Sequence, residues 1–319
     1  TGRYINSTAD AFELASTLRQ FQEVWRLTMD DRVGSQILPL LNAALLKREG
    51  ATLTIPKPDL EKQAAADTGY SLRLERVLGA DSFKTYQWYL RGLKACSAVA
   101  RIGRDSSKGF GTGFLLDGGQ LSEALRGKMV LFTNSHIISN DPATNNSSLY
   151  PDQAVATLEA LDQTIQLRFD RIIFNSSLYE LDTTILTFDP PSEEKLIAIR
   201  EHIYSYSLAK RLPAADQKQR IYIIGHPSGG ALQVSLQDNI LLAHNDRLMH
   251  YRTPTEGGSS GSPVFNDEWE LIGIHHGGSD RVRPLDGSGI PYAANEGISL
   301  AAIKALFAQQ EPAALVEIG

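Results

Sequence analysis

The chain has 319 residues, of which 42% are hydrophobic and 21% charged, with a formal net charge of -6. Those figures exclude a disordered or fibrous protein, leave room for about two domains, and supply no basic footprint for nucleic acid. Cys96 is the single cysteine, so no intramolecular disulfide can form, and that usage favours a reducing, cytoplasmic setting.

In chain order, the first part of the sequence has helical periodicity. Phe12, Leu14, Leu18, Phe21, Val24 and Trp25 recur near a 3.6-residue period, with Ser7 or Thr8 placed to cap the start. Ser35 to Lys47 predicts a second helix, and its apolar piece "ILPLLNAALL" is broken by Pro39 and Asn42 and is too short to cross a membrane. After the breaker "PKPDLEK", the segment "DSFKTYQWYLRGLKA" predicts another amphipathic helix. Leu72, Leu74, Val77, Leu78, Phe83, Tyr86, Trp88, Tyr89 and Leu90 are read as the core of this helical domain, which is assigned residues 1–94.

From Cys96 the texture changes to short β-type runs divided by turn residues: "SAVARIG", "GTGFLLD", "KMVLFTN", "TIQLRFDRIIF", "TTILTF", "RIYIIGH", "LQVSLQDNILLA", "SPVF" and "LIGIHHG". A helical interlude at 192–211 divides them into two halves, the polar run 139–153 reads as a surface loop, and Ser299 can cap a closing helix, "LAAIKALFAQQ". The second domain is assigned residues 95–319.

Three separated segments set a small or polar turn next to an apolar strand and hold one reactive side chain: His136 in "LFTNSHIIS", Asp182 in "LYELDTTILTF" and Ser260 in "GGSSGSPVF". A serine hydroxyl is a poor nucleophile at neutral pH and needs an imidazole to take its proton, while that imidazole needs a carboxylate to fix its tautomer. A Gly/Ser run is more often a linker, but Pro263, Val264 and Phe265 continue this one straight into an apolar strand. Asp170 and Asp189 are rivals to Asp182, although only Asp182 directly precedes a Thr-Thr-Ile-Leu run. The order His, Asp, Ser differs from that of α/β-hydrolases, which argues against an esterase.

With "GTGFLL", "TNSH", "LDTTIL", "GGSSGSP" and "LIGIHHGG" in that order, the sequence resembles a bacterial trypsin-like, chymotrypsin-fold serine peptidase of the glutamyl-endopeptidase kind. The resemblance runs from "SAVARIG" to the final helix. It implies an N-terminal α-helical domain followed by a double β-barrel of two six-stranded halves, closed by a C-terminal helix. It also implies His136 as general base and acid, Asp182 as its orienter, Ser260 as nucleophile, and the backbone N–H groups of Gly258 and Ser260 as the oxyanion hole.

Thr255 and His275 match the positions that hold a substrate carboxylate in glutamyl endopeptidases, so cleavage after Glu is expected, with Gln second. Pro254 stands where a trypsin-type pocket has its carboxylate, and Glu256 would repel an acidic substrate if it pointed inward. Ser259 stands where trypsin-like zymogens carry an aspartate, so activation through a newly cut N-terminal amine is not expected. His276 is read as structural or as pocket wall, His226 as structural, and His202, His244 and His250 as lacking metal-site spacing. No cofactor or metal is implied. The partners expected are a protein or peptide substrate and a regulatory protein on residues 1–94 within a bacterial defence or stress pathway, with no nucleic acid and no membrane. The competing reading is a catalytically silent, peptide-binding pseudo-protease.

Overall fold

The computed structural model describes residues 83–142, 148–216 and 218–315. The expected helices before residue 83 lie outside the described residues, as does part of the 139–153 loop.

The described chain opens with helix α1 (Tyr86–Ala95), whose N-cap Thr85 accepts a hydrogen bond from the Trp88 N–H. Trp88 and Gly92 face inward, while Phe83, Tyr86 and Tyr89 are exposed. The Trp88 indole lies against Trp269 and Tyr222, with ring centroids 4.9 and 5.0 Å away, and its Nε1 donates to the Asp267 carbonyl at 2.8 Å. Gly92 permits this contact, since a Cβ there would come within 2.4 Å of the Trp269 ring. Lys84 forms an ion pair with Asp267. Helix α1 thus belongs to the compact unit Phe83–Gly319, where the sequence had placed it in the preceding domain.

Fourteen strands follow in two antiparallel sheets. The first contains β1 (Val99–Gly103), β2 (Gly109–Asp117), β3 (Met129–Thr133), β4 (Val155–Thr157), β5 (Gln166–Leu167), β6 (Phe169–Ser176) and β7 (Thr183–Phe188), in the order β5-β4-β1-β2-β3-β7-β6. Only Arg168 separates β5 from β6. One interrupted strand therefore pairs with β4 at one edge and β7 at the other, and the sheet closes into a six-stranded barrel.

The second contains β8 (Tyr222–Gly225), β9 (Gln233–Ser235), β10 (Leu241–His244), β11 (Leu248–Tyr251), β12 (Pro263–Phe265), β13 (Leu271–Val282) and β14 (Tyr292–Ser299), in the order β10-β11-β14-β13-β12-β8-β9. Here β9 and β10 act as one strand bent near Asp238. The bridge Arg220↔Ile240 and the Ile221 N–H bond to the Asn239 carbonyl at 2.7 Å carry the β8 side onto β10, closing this ring as well. The two barrels are the architecture that the resemblance implied.

The connecting helix α2 (Pro190–Ile199) is shorter than the expected 192–211. Its N-cap is Asp189, whose carboxylate accepts from the Ser192 N–H at 2.9 Å, and a 3-10 turn at Arg200–His202 ends it. The closing helix α3 (Leu300–Leu315) buries Leu300, Ile303 and Phe307 along one face, and Phe307 packs on Phe174 of β6 with centroids 5.7 Å apart. Ser299, the expected cap, ends β14.

Candidate active site

Register brings the first two side chains together. Thr133 at the end of β3 pairs with Thr184 near the start of β7, so the turn carrying His136 lies beside Asp182. Asp182 is 1% exposed and densely held. Its Oδ1 accepts from the Ser135 hydroxyl at 2.7 Å and the His136 N–H at 3.0 Å, and its Oδ2 meets His136 Nδ1 at 2.6 Å. Its carbonyl accepts from Asn134 Nδ2 at 2.8 Å. Asp182 also has a φ of +36°, a left-handed conformation that costs a non-glycine residue about 1 kcal/mol and that these bonds hold in place. Its rivals have other roles: Asp170 is exposed beside Arg171, and Asp189 caps α2.

Sequence reasoning missed a second imidazole on the same carboxylate. His276 Nδ1 lies 2.8 Å from Asp182 Oδ2, and its Nε2 lies 3.3 Å from Glu296 Oε1. The other Glu296 oxygen is 2.9 Å from His250 Nε2, and His250 Nδ1 is 2.7 Å from the Tyr292 hydroxyl. Burial works against the charge on Asp182, but the hydrogen bonds and charges of His136 and His276 outweigh it and bring the carboxyl down to about 2. Burial likewise opposes a charged His276, but its bonds to Asp182 and Glu296 raise it to about 9. His136, Asp182 and His276 are ligand-type side chains within 4.8 Å of one another, but contacts of 2.6 and 2.8 Å are direct hydrogen bonds, too short to span an intervening ion. The signal for His276 was the doublet in "GIHHGG". His275 is buried against Tyr251, and at the bulge that follows it His276 is turned towards Asp182.

Ser260 sits on the loop before β12. Its carbonyl accepts from the Thr112 N–H at 2.8 Å, and its hydroxyl donates to the His276 carbonyl at 3.3 Å. Among the described residues no hydrogen bond joins this hydroxyl to His136, a bond of a kind that tightens when substrate binds. Glycines set the loop's shape. Gly258 has a φ of +95° and Gly261 one of +88°, and a Cβ would come within 2.6 Å of the Gly229 nitrogen at the first and 1.9 Å of the Thr112 carbonyl oxygen at the second. No internal acceptor takes the N–H of Gly258 or Ser260 among the described residues.

Ser259 is buried and closes the turn without a carboxylate. Its N–H donates to the Glu256 carbonyl at 2.9 Å, and its hydroxyl accepts from the Glu256 N–H at 3.2 Å. Thr112, in the strand run "GTGFLLD", ties the loop to the first barrel. Its hydroxyl donates to the Gly258 carbonyl at 2.8 Å and accepts from the His226 N–H at 3.0 Å.

Of the specificity positions, Thr255 is half-buried on this loop. Glu256 is exposed and its carboxylate accepts from the Ser228 hydroxyl at 2.8 Å, so it is turned to the Pro227–Gly229 segment. His275 is 2% exposed, and its Nδ1 lies 2.8 Å from the Tyr251 hydroxyl. Burial, with the charges of His276 and His136 adding to it, lowers His275 to about 3. Burial and then the Arg101 charge lower His226 to about 3. Glu159 lies 3.8 Å from His226, beyond hydrogen-bond reach, and is bonded to Arg101 at 2.9 Å, so His226 is neutral.

These two neutral histidines predict acid sensitivity. Each binds a proton in the unfolded chain below pH about 6.5 but not in the folded one until about 3, so stability falls with pH across that window. The loss is about 1.4 kcal/mol per pH unit for each. His276 has the opposite sign: its contribution is complete below about 6.5 and is lost as pH rises through about 9. Urea midpoints measured from pH 4.5 to 9 should peak near 6.5. A curve that stays flat down to pH 4.5 would show that the two histidines are not held neutral.

The double barrel with this loop pair at its seam is the chymotrypsin-fold architecture of serine peptidases. Residues 111–274, over half of the chain, match the family model described as a trypsin-like peptidase domain, and the chain belongs to that family.

Among curated proteins it is 26% identical over 67% of its length to the uncharacterized protein y4fB of Sinorhizobium fredii (strain NBRC 101917 / NGR234), and covers 32% of that protein. It is 28% identical over 48% of its length to the glutamyl endopeptidase of Staphylococcus aureus (strain MRSA252), covering 41% of it. The chain therefore spans well under half the length of either relative. A solved structure, the serine endoprotease from Yersinia pestis, aligns with 72% of this chain and 67% of its own at a TM-score of 0.46 and 16% identity. Among the described residues no helix is long and apolar enough to cross a membrane.

Proposed function

We propose that this protein is a serine endopeptidase in which His136, Asp182 and Ser260 act as base, orienter and nucleophile. The observation that carries the proposal is the His136–Asp182 pair at 2.6 Å on one barrel, set beside a glycine-framed serine loop tied to it through Thr112. His136 Nδ1–H is fixed on Asp182, which leaves Nε2 to take the Ser260 proton as the hydroxyl attacks the scissile carbonyl. The free N–H groups of Gly258 and Ser260 then receive the developing oxyanion, with each such donor contributing about 3 kcal/mol in comparable sites. His136 returns the proton to the leaving amine, and water repeats the sequence on the acyl-enzyme. Ser259 and Gly258 shape the loop without an internal carboxylate, which supports a site that forms without N-terminal cleavage.

For the substrate we propose cleavage after Glu, with Gln second. Thr255 and the similarity to the staphylococcal glutamyl endopeptidase support this, and Glu256, paired with Ser228, does not oppose an acidic side chain. His275, already bonded to Tyr251, takes part only as a neutral donor. Peptides that differ only in the residue before the cleaved bond test the reading, and preferred cleavage after Arg, Lys or Leu would overturn it.

The residues before the barrels are proposed to dock a regulatory protein or to gate the peptidase in a bacterial defence or stress pathway, and the lone buried Cys96 fits a cytoplasmic setting. Because α1 packs on Trp269, the informative comparison is the full chain against a chain beginning at Phe83. Equal activity of the two, with or without cell extract, would remove the gating proposal.

A further inference from the structure

His276 has a carboxylate on each ring nitrogen, Asp182 at 2.8 Å and Glu296 at 3.3 Å. Each ionised carboxylate favours a proton on the nitrogen it faces, so the pair of them holds the ring as an imidazolium. His250, in contrast, can stay neutral, because its Nε2–H reaches Glu296 while its Nδ1 accepts from the Tyr292 hydroxyl. The result is a row of groups leading away from the reacting serine: Asp182, His276, Glu296, His250 and Tyr292. It starts on the same Asp182 oxygen that His136 uses.

We infer that His276 is a positioning residue for the reaction at Ser260, a cationic second imidazole that fixes the Asp182 carboxylate and sets the pH below which His136 stops working as a base. This rests on the serine-peptidase reading above. Three titratable groups face His276: Asp182 before β7, His136 after β3 with ring centroids 6.4 Å away, and Glu296 on β14. His250 on β11 stands behind Glu296, and His275 on the same strand faces the barrel interior. Ser260 meets only the His276 backbone carbonyl.

In this arrangement Asp182 and Glu296 carry two negative charges and His276 offsets one of them. Removing the imidazolium leaves both carboxylates uncompensated near His136 and makes protonation of the base easier. Removing Glu296 does the reverse.

The test is the pH profile of kcat/KM for the full chain on a peptide substrate, with His276→Gln, Glu296→Gln and the double variant. His276→Gln should move the acid limb up by about one pH unit, Glu296→Gln should move it down, and the double variant should lie between them. A structural role alone would lower activity equally at every pH, and superimposable profiles would overturn the inference.

Proton NMR of the same full-length proteins supplies a readout that needs no catalysis. The wild type should show two far-downfield imidazole N–H signals bonded to Asp182, and His276→Gln should keep one. A wild type with two such signals but no peptidase activity would reject the functional reading and keep the pairing. A single signal in the wild type would reject the pairing itself.

Discussion

Ser260→Ala is expected to lower kcat by roughly 10⁶-fold, the scale seen when a nucleophile is removed from a comparable triad. The hydroxyl has no second task, since its one hydrogen bond, to the His276 carbonyl, is 3.3 Å long. The variant should therefore unfold at the same urea concentration as the wild type. His136→Ala should cost a similar factor, and the two changes together no more than either alone, because nucleophile and base act as a unit. Steady-state kinetics on one peptide substrate measure all three. Residual activity within about 100-fold of wild type in Ser260→Ala would mean that another group attacks.

Asp182→Asn is expected to damage both catalysis and stability. Loss of the orienting carboxylate costs about 10⁴-fold in kcat in comparable triads, because the imidazole is left in the wrong tautomer. Here the same carboxylate also holds a second imidazole, the Ser135 hydroxyl and the His136 N–H, while 1% exposed. An asparagine amide offers a single oxygen where two now accept four donors, and it leaves a cationic His276 with Glu296 alone. The expected destabilisation is about 3 kcal/mol at neutral pH, the low end for breaking a buried ion pair. Chemical denaturation of wild type and variant decides it, and a variant as stable as wild type would show that the double pairing contributes nothing to the fold.

The candidate residues His136, Asp182 and Ser260 stand out in the sequence because each follows or precedes a strand with a plain pattern. "VLFT" and "TTILTF" are wholly buried in the structure, and their pairing follows once they are read as neighbours. Asp182 separates from Asp170 and Asp189 by the same logic, one rival lying on an exposed strand position and the other capping a helix.

What escaped lies on strands without such a pattern. β14, "YAANEGIS", alternates neither in polarity nor in branching, so Glu296 had no visible place beside His276. β4 and β11 were missed for similar reasons, being three and four residues long. The sequence could not show what helix α1 packs on, because an amphipathic pattern shows that a face is buried but not against what. The contact of Trp88 with Trp269 and Tyr222 is set by residues far along the chain. Thr112 sits in the motif "GTGFLL", but its tie to the serine loop depends on three backbone groups that a sequence does not display.

The measurement that tests the central claim most directly is labelling of the full-length protein with a fluorophosphonate, followed by mapping of the modified peptide. One adduct is expected, on Ser260, that disappears in Ser260→Ala and in His136→Ala while both variants remain folded. An adduct on a different serine, or a folded wild type that takes up no label with or without a peptide substrate present, would contradict it and favour a silent peptide-binding module.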